Sequence, residues 1–306
     1  MSPIDSRKFT DLYKLLAGAQ LPALPQSAIK IMELAGDPQN GPAEFAVPIE
    51  GDPGLTGQVL RFVNSSYFGF SNEISNVKLA ITLIGIRTIK NFALWSAVFS
   101  LLPNPRCGPF DLKSLWQDSL RRGIFARVVA KVLGRTEAEE VFAAALLQDM
   151  AVPVLAKELP VEYVELLKQR GGGQRRLSEL EQERFGWTHA EAAGIMARQW
   201  RLPEEFAVLV ENHIKGCPKP GEEPLHPFQM AVNLSALLPS SADRGWAECG
   251  EFEQTFQQCG LGNGPSLMDL LIQTDAEYEE FAPVLKLHKP ARSLFDYYQQ
   301  AVAASL

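Results

Sequence analysis

The chain has 306 residues, 46 % of them apolar, enough to bury a sizeable core and, by length, to build two domains or one large one. Its 29 Lys/Arg against 36 Asp/Glu leave a net charge of −7, which argues against a protein that holds nucleic acid through overall positive charge. Only four histidines are present to serve a metal centre, and four scattered cysteines without a Cys-x-x-Cys pair exclude a disulfide scaffold and suit a reducing cytoplasm.

The N-terminus, Met-Ser-Pro-Ile-Asp-Ser-Arg-Lys, lacks the apolar run of a signal peptide. Helical periodicity follows. Ala28, Ile31, Met32 and Ala35 recur at i, i+3, i+4 and i+7, and predict a helix that starts just after Pro25. Asp52-Pro53 repeats that device ahead of Leu55, Val59, Leu60, Phe62 and Val63, with Asp52 as the N-cap. Further helices are expected at 77–84 and 87–101, hinged at Gly85. The greasy stretch from Leu79 to Leu102 is broken by Arg87, Lys90 and Asn91, so it falls short of the roughly 20 apolar residues of a membrane span. No membrane contact is expected.

The segment Leu102-Pro-Asn-Pro-Arg-Cys-Gly-Pro109 stops the helix and marks a joint. Beyond it, helices are expected at 112–133 and 137–149, a break at Gly171-Gly172-Gly173, and a second proline-rich loop at Cys217–Pro224. From Trp246 the tail supplies three or four amphipathic helices, ending with Phe295, Tyr298 and Val302. No stretch alternates polar and apolar residues with β-branched enrichment, so the fold class is all-α.

Charge is unevenly spread. Residues 1–136 carry 15 Lys/Arg against 10 Asp/Glu, a net of +5, and residues 137–306 a net of −12. Two units with different partners, or an internal complementarity, would each give such a split. Arg121, Arg122, Arg127, Lys131 and Arg135 lie along one predicted helix and read as a solvated face whose stems cover apolar surface, with a site for an acidic partner as the alternative. The aromatics of Tyr67-Phe68-Gly69-Phe70, just after Asn64-Ser65, read first as core and second as a binding surface. The chain holds no phosphate-cradling Gly-x-x-x-x-Gly-Lys loop, no Gly-x-Ser-x-Gly elbow and no His-Glu-x-x-His helix.

Several ordered motifs resemble the HDOD family. They are Leu21-Pro-Ala-Leu-Pro25, Glu50-Gly-Asp52-Pro53-Gly-Leu-Thr, Arg61-Phe-Val-Asn64-Ser65-Ser-Tyr-Phe-Gly69 and Ala80-Ile-Thr-Leu-Ile-Gly85. The match continues through Leu115-Trp-Gln-Asp118, Ala145-Leu-Leu-Gln148-Asp149, Glu183-Arg-Phe-Gly-Trp-Thr-His189 and Trp200-Arg-Leu-Pro203, over roughly residues 15–240. These are bacterial regulatory domains related to the HD superfamily of metal-dependent phosphohydrolases. The resemblance implies a multi-helix bundle with an N-terminal subdomain (1–105) packed on an HD-like subdomain (106–240), followed by a C-terminal helical extension (241–306). It takes Asp52, Pro53, Asn64, Ser65 and Gly85 as family signature residues. It also implies a cytoplasmic signalling role, such as the output of a response regulator, although the strand–helix alternation of a receiver module is missing from the chain.

An active HD enzyme would hold metal through a histidine, a His-Asp pair and a distal aspartate. At those positions the resemblance puts Asp118, Gln148-Asp149 and Asn233, with His189 and His213 as two further pocket residues. Gln148 and Asn233 offer neutral amides in place of imidazole and carboxylate, which bind first-row metals far less tightly. The pocket therefore reads as degenerate, with no catalytic residue and no cofactor expected; a hydrogen-bonded network of these side chains is favoured over a divalent metal on Asp118, Asp149, His189 and His213. The functional expectation is a non-catalytic regulator that contacts protein partners and not nucleic acid. The alternative is a phosphohydrolase with an altered ligand set, acting on a nucleotide or cyclic dinucleotide.

Overall fold

The computed structural model describes residues 12–19, 21–134, 138–216, 226–258, 261 and 264–305. Among them every regular element is helical. The first group is α1 (Leu12–Gly18), α2 (Gln26–Ala35), α3 (Pro42–Glu50), α4 (Pro53–Val63), α5 (Val77–Ile84) and α6 (Ile86–Leu101). After the proline-rich joint, which is non-helical, come α7 (Leu112–Val132), α8 (Ala138–Leu147), α9 (Val152–Glu158), α10 (Pro160–Gln169), α11 (Leu177–Phe185), α12 (His189–Gln199), α13 (Glu204–Glu211) and α14 (Pro227–Ala236). The tail adds α15 (Cys249–Gln258), α16 (Leu267–Phe281), a 3₁₀ turn at Ala282–Leu285 and α17 (Leu294–Ser305). The expected loop at 217–224 lies outside the described residues. No helix among those described is long and apolar enough to cross a membrane.

The signature residues of the first group hold local structure. Asp52 caps α4 by accepting from the Leu55 amide at 3.0 Å, and it ties α2 to that cap by accepting from Ser27 Oγ at 2.7 Å. Pro53 fills the first turn of α4, where its missing N–H costs nothing. Asn64 pins the following loop: its amide donates to the Ile74 carbonyl at 2.8 Å and its Oδ1 accepts from the Ile74 N–H at 2.7 Å. Ser65 Oγ closes the helix end on the Phe62 carbonyl. Gly85 ends α5 and starts α6 at φ +90°, a conformation that side-chain-bearing residues rarely adopt, so the hinge requires glycine.

Helix α7 runs through the middle, packed by α8, α14 and α16. Its arginines therefore do not form the solvated face expected of them. Arg121 and Arg127 are each 2 % exposed, and Arg122 is largely buried; a helix covered on several sides by apolar neighbours leaves its cations nowhere to go but inward, onto carboxylates and rings. Lys131 alone of the described set is exposed, and Arg135 lies outside the described residues. Arg127 pairs with Glu277 of α16 at 2.8 Å and Glu139 of α8 at 3.7 Å, and lies 5.1 Å from the Tyr67 ring centroid and 4.8 Å from that of Phe142. Phe281 of α16 meets Phe62, Tyr67 and Phe142. Tyr67 and Phe68 are thus core, while Phe70 keeps 37 % of its surface exposed.

The tail folds onto the rest of the chain. Together with Arg87 and Lys90 of α6 against Glu140 of α8, these contacts give the charge split a use: cations of the first 136 residues meet carboxylates of the remainder.

Candidate functional site

A cavity of about 210 Å³ opens beside α7 and receives side chains from five places in the chain. Asp118 and Arg122 lie one helical turn apart on α7 and share a face. Gln148 and Asp149 form the turn after α8. His189 is the first residue of α12, whose start is fixed by a capping box between Thr188 and Glu191. His213 follows the end of α13, and Asn233 comes from α14. All of these line the cavity except Gln148.

At its floor Asp149 faces both imidazoles. Its Oδ1 lies 3.3 Å from His189 Nε2 and 3.6 Å from His213 Nε2, and the two Nε2 atoms are 3.3 Å apart. Each ring is oriented from behind. His189 Nδ1 donates to Glu181 Oε2 at 2.6 Å; the same oxygen accepts the His189 backbone N–H, and Tyr163 donates to Oε1 at 2.7 Å. His213 Nδ1 donates to the Val210 carbonyl at 2.6 Å. A carboxylate or carbonyl behind Nδ1 is the arrangement that aims Nε2 into a site. Asp149, His189 and His213 are accordingly the one group of three such residues, among those described, whose donor atoms converge within 4.8 Å, as a metal would need.

Arg122 changes the charge of this floor. Its Nη1 donates to Asp149 Oδ2. Burial opposes the charged form of Asp149, but Arg122 and the two histidines outweigh it and hold the carboxyl well below its ordinary range. Burial likewise opposes imidazolium at His189, yet Glu181 and Asp149 push its pKa up to about 10. Burial lowers that of His213. The two carboxylates thus favour the imidazolium form at His189, whose Nε2 faces Asp149 Oδ1 and His213 Nε2.

The remaining positions are engaged elsewhere. Asp118 accepts from Ser240 Oγ and, at 2.7 Å, from the Ser241 amide, and burial raises its pKa. Asn233 accepts from Gln229 at 2.6 Å and donates to the Lys215 carbonyl at 2.7 Å. Gln148 is fully buried, and neither amide atom has a hydrogen-bond partner among the described residues. Asp149, His189 and His213 thus cluster together, while Asp118 and Gln148, expected in the same network, and Asn233 stand outside that cluster. Glu181 and Tyr163 escaped the sequence reading, as did the placement of Arg122. The spacing of Asp118 and Arg122 at i,i+4 was an available signal for the last; nothing local connects Glu181 to His189.

Further lining comes from residues 167–178 and from the loop and first helix of the tail. Arg170 donates from Nη2 to both oxygens of Asp243, at 2.8 and 3.0 Å, and Arg176 reaches Glu251 at 2.7 Å and Glu248 at 3.5 Å. The expected glycine break makes this approach possible. Gly173 sits at φ +93°, and a Cβ there would lie 2.5 Å from Asp243 Cγ.

A family model for the HDOD domain matches residues 21–215. Among solved structures, an HDOD domain protein of unknown function from Geobacter sulfurreducens is 19 % identical, with a TM-score of 0.63 over 96 % of this chain and 92 % of its own. A "putative signal transduction protein" from Marinobacter aquaeolei VT8 is 21 % identical, with a TM-score of 0.62 over 89 % of this chain and 58 % of its own. A "putative phosphohydrolase" from Shewanella amazonensis SB2B is 20 % identical, with a TM-score of 0.62 over 94 % and 97 %. At these identities the likeness establishes a shared fold. An uncharacterized protein of Treponema pallidum (strain Nichols) is 23 % identical over 194 residues, 63 % of this chain, and the matched part is 37 % of that relative's length.

Proposed function

The chain belongs to the HDOD family, and from that premise we propose that it is a bacterial signal-transduction module that acts through contacts with protein partners, with its HD-type pocket serving as a polar, ligand-accessible core of the bundle and not as a hydrolytic centre. The observation that supports this best is the dispersal of the ligand positions. Of Asp118, Gln148, Asp149 and Asn233, only Asp149 lies against the two imidazoles: Asp118 is held by Ser240 and Ser241, Asn233 by Gln229 and Lys215, and Gln148 does not line the cavity. A divalent metal does not fit there as the side chains stand, because Asp149 already carries the guanidinium of Arg122. The relative from Marinobacter aquaeolei VT8 named for signal transduction accords with this reading.

One feature favours a second reading, a phosphohydrolase with an altered ligand set. Both imidazoles are backed at Nδ1 in the manner of metal ligands, and one relative is named for phosphohydrolase activity. The two readings part on turnover. Purified protein supplied with Mn²⁺ should hydrolyse neither nucleotides nor cyclic dinucleotides above the background set by Asp149→Ala. Turnover that disappears in Asp149→Ala establishes the phosphohydrolase and ends the first reading.

A further inference from the structure

The floor of the pocket is supplied with a cation by the protein itself. Arg122 reaches Asp149 from α7, with 16 % of its side chain exposed against 9 % for the carboxylate. The guanidinium takes Oδ2, while Oδ1 faces the two Nε2 atoms, the place a divalent ion would occupy. Two cations on one largely buried carboxylate repel each other. Asp118, the carboxylate one turn before Arg122 on α7, gives no relief, because it is engaged by Ser240 and Ser241 and is not among the groups that converge with the histidines. What remains for a metal is two imidazoles and half of an occupied carboxylate.

We propose that Arg122 is a built-in cation that stands in for a divalent metal at Asp149, so that the native pocket excludes metal and becomes a metal site once the charge of Arg122 is removed. The inference deepens the regulatory reading above, which also places Asp149 outside metal chemistry. The freed site would offer Asp149, His189 Nε2 and His213 Nε2, a mixed imidazole and carboxylate set suited to Ni²⁺, Zn²⁺ or Mn²⁺.

Equilibrium dialysis of the untagged protein against Ni²⁺ alone tests this. The wild type and Arg122→Lys, which keeps the charge, should bind no stoichiometric metal. Arg122→Met should bind one Ni²⁺ per chain, at least about tenfold more tightly than the wild type, and the added Asp149→Asn should abolish that binding. The melting temperature of Arg122→Met should rise with Ni²⁺ and that of the wild type should not. Where Arg122→Met is too unstable to isolate, Arg122→Gln keeps a donor to Asp149, and its refolding yield with Ni²⁺ is compared with that in chelator. The inference is overturned by a wild type that binds Ni²⁺ as tightly as Arg122→Met, by binding that survives Asp149→Asn, or by variants indifferent to Ni²⁺. Metal bound to the wild type without turnover overturns this inference alone; turnover by the wild type overturns the regulatory reading as well.

Discussion

Arg122 and Arg127 leave the same helix as buried cations, yet one faces a cavity and the other a sealed junction. Arg122 meets Asp149 at the floor of a cavity of about 210 Å³, beside two histidines. Arg127 is enclosed by Tyr67 of the first segment, Glu139 and Phe142 of α8, and Glu277 of the tail. The first arrangement leaves room for a ligand to alter the balance of charge. The second joins three stretches of chain with no space beside it, so its work is assembly. A buried ion pair adds little over an apolar substitute, but removing one partner alone is costly.

That asymmetry sets the largest expected effect. Arg127→Met leaves Glu277 and Glu139 without their cation and should cost about 3–5 kcal/mol, read as a drop in the urea midpoint. The double change Arg127→Met with Glu277→Gln should recover a good part of it. If Arg127→Met is nearly neutral, the tail is held by its apolar contacts alone and the contrast with Arg122 collapses.

Acidity and alkalinity probe the pocket side. His189 has its pKa raised from 6.5 to about 10, so its contribution to stability is fully present below pH 6.5 and is lost as pH rises through 10. Wild-type stability should fall across that window by a few kcal/mol. Glu181→Gln removes the charge that does most to hold the proton there, so its pH profile should be flatter, whatever its absolute stability. Equal slopes in the two proteins would place the proton elsewhere in the pocket.

A comparable loss is expected where the glycine turn meets the tail. Gly173→Ala forces a Cβ onto Asp243 at a φ that favours glycine, and should cost about 2 kcal/mol while loosening Arg170 from Asp243. Hydrogen exchange should quicken at 240–244, which the glycine turn touches through Asp243, and remain unchanged around Arg127, whose partners are Tyr67, Glu139, Phe142 and Glu277.

These features differ in how far the sequence disclosed them. Helix starts at Pro25 and Asp52-Pro53, the glycine at 85 and the proline-rich joint could be read directly, because caps, hinges and breaks are decided by neighbours in sequence. The family motifs located Asp149, His189 and His213 in one pocket. They did not show that Asp118 would be taken by Ser240 and Ser241, which lie 122 and 123 residues further on. The arginines of α7 misled for a related reason. Charge suggests exposure, and only the packing of α8, α14 and α16 around that helix turns Arg121, Arg122 and Arg127 inward. Glu181 was invisible because its partner lies in another helix, and its neighbours spell no motif.

Gln148 offers a smaller test of the same distinction. It occupies a position at which the resemblance implies a metal-binding histidine, yet its side chain neither lines the cavity nor meets a partner. Replacing a buried unpartnered amide with a shape-matched apolar group removes a desolvation penalty, so Gln148→Met should stabilise by about 1 kcal/mol. A loss of similar size would show that the amide has a polar partner after all and belongs with the pocket.

The smallest effect is expected at the rim, and it tests whether the pocket wall is held as the junction is. Glu251 is 48 % exposed in its pair with Arg176, and exposed pairs contribute about 0–1 kcal/mol. Glu251→Gln should therefore change stability by less than about 1 kcal/mol, with Glu248 at 3.5 Å left to hold the guanidinium. Added salt should shrink even that difference, whereas the cost of Arg127→Met should be less sensitive to salt because the guanidinium itself is buried. A rim contact that is weak and screened can be displaced by a charged ligand or partner at little cost. A junction fastened by one enclosed cation cannot. Salt-insensitive destabilisation in Glu251→Gln, matching that at Arg127, would mean that the tail seals the pocket as firmly as it seals the core, and would leave the cavity without an adjustable side.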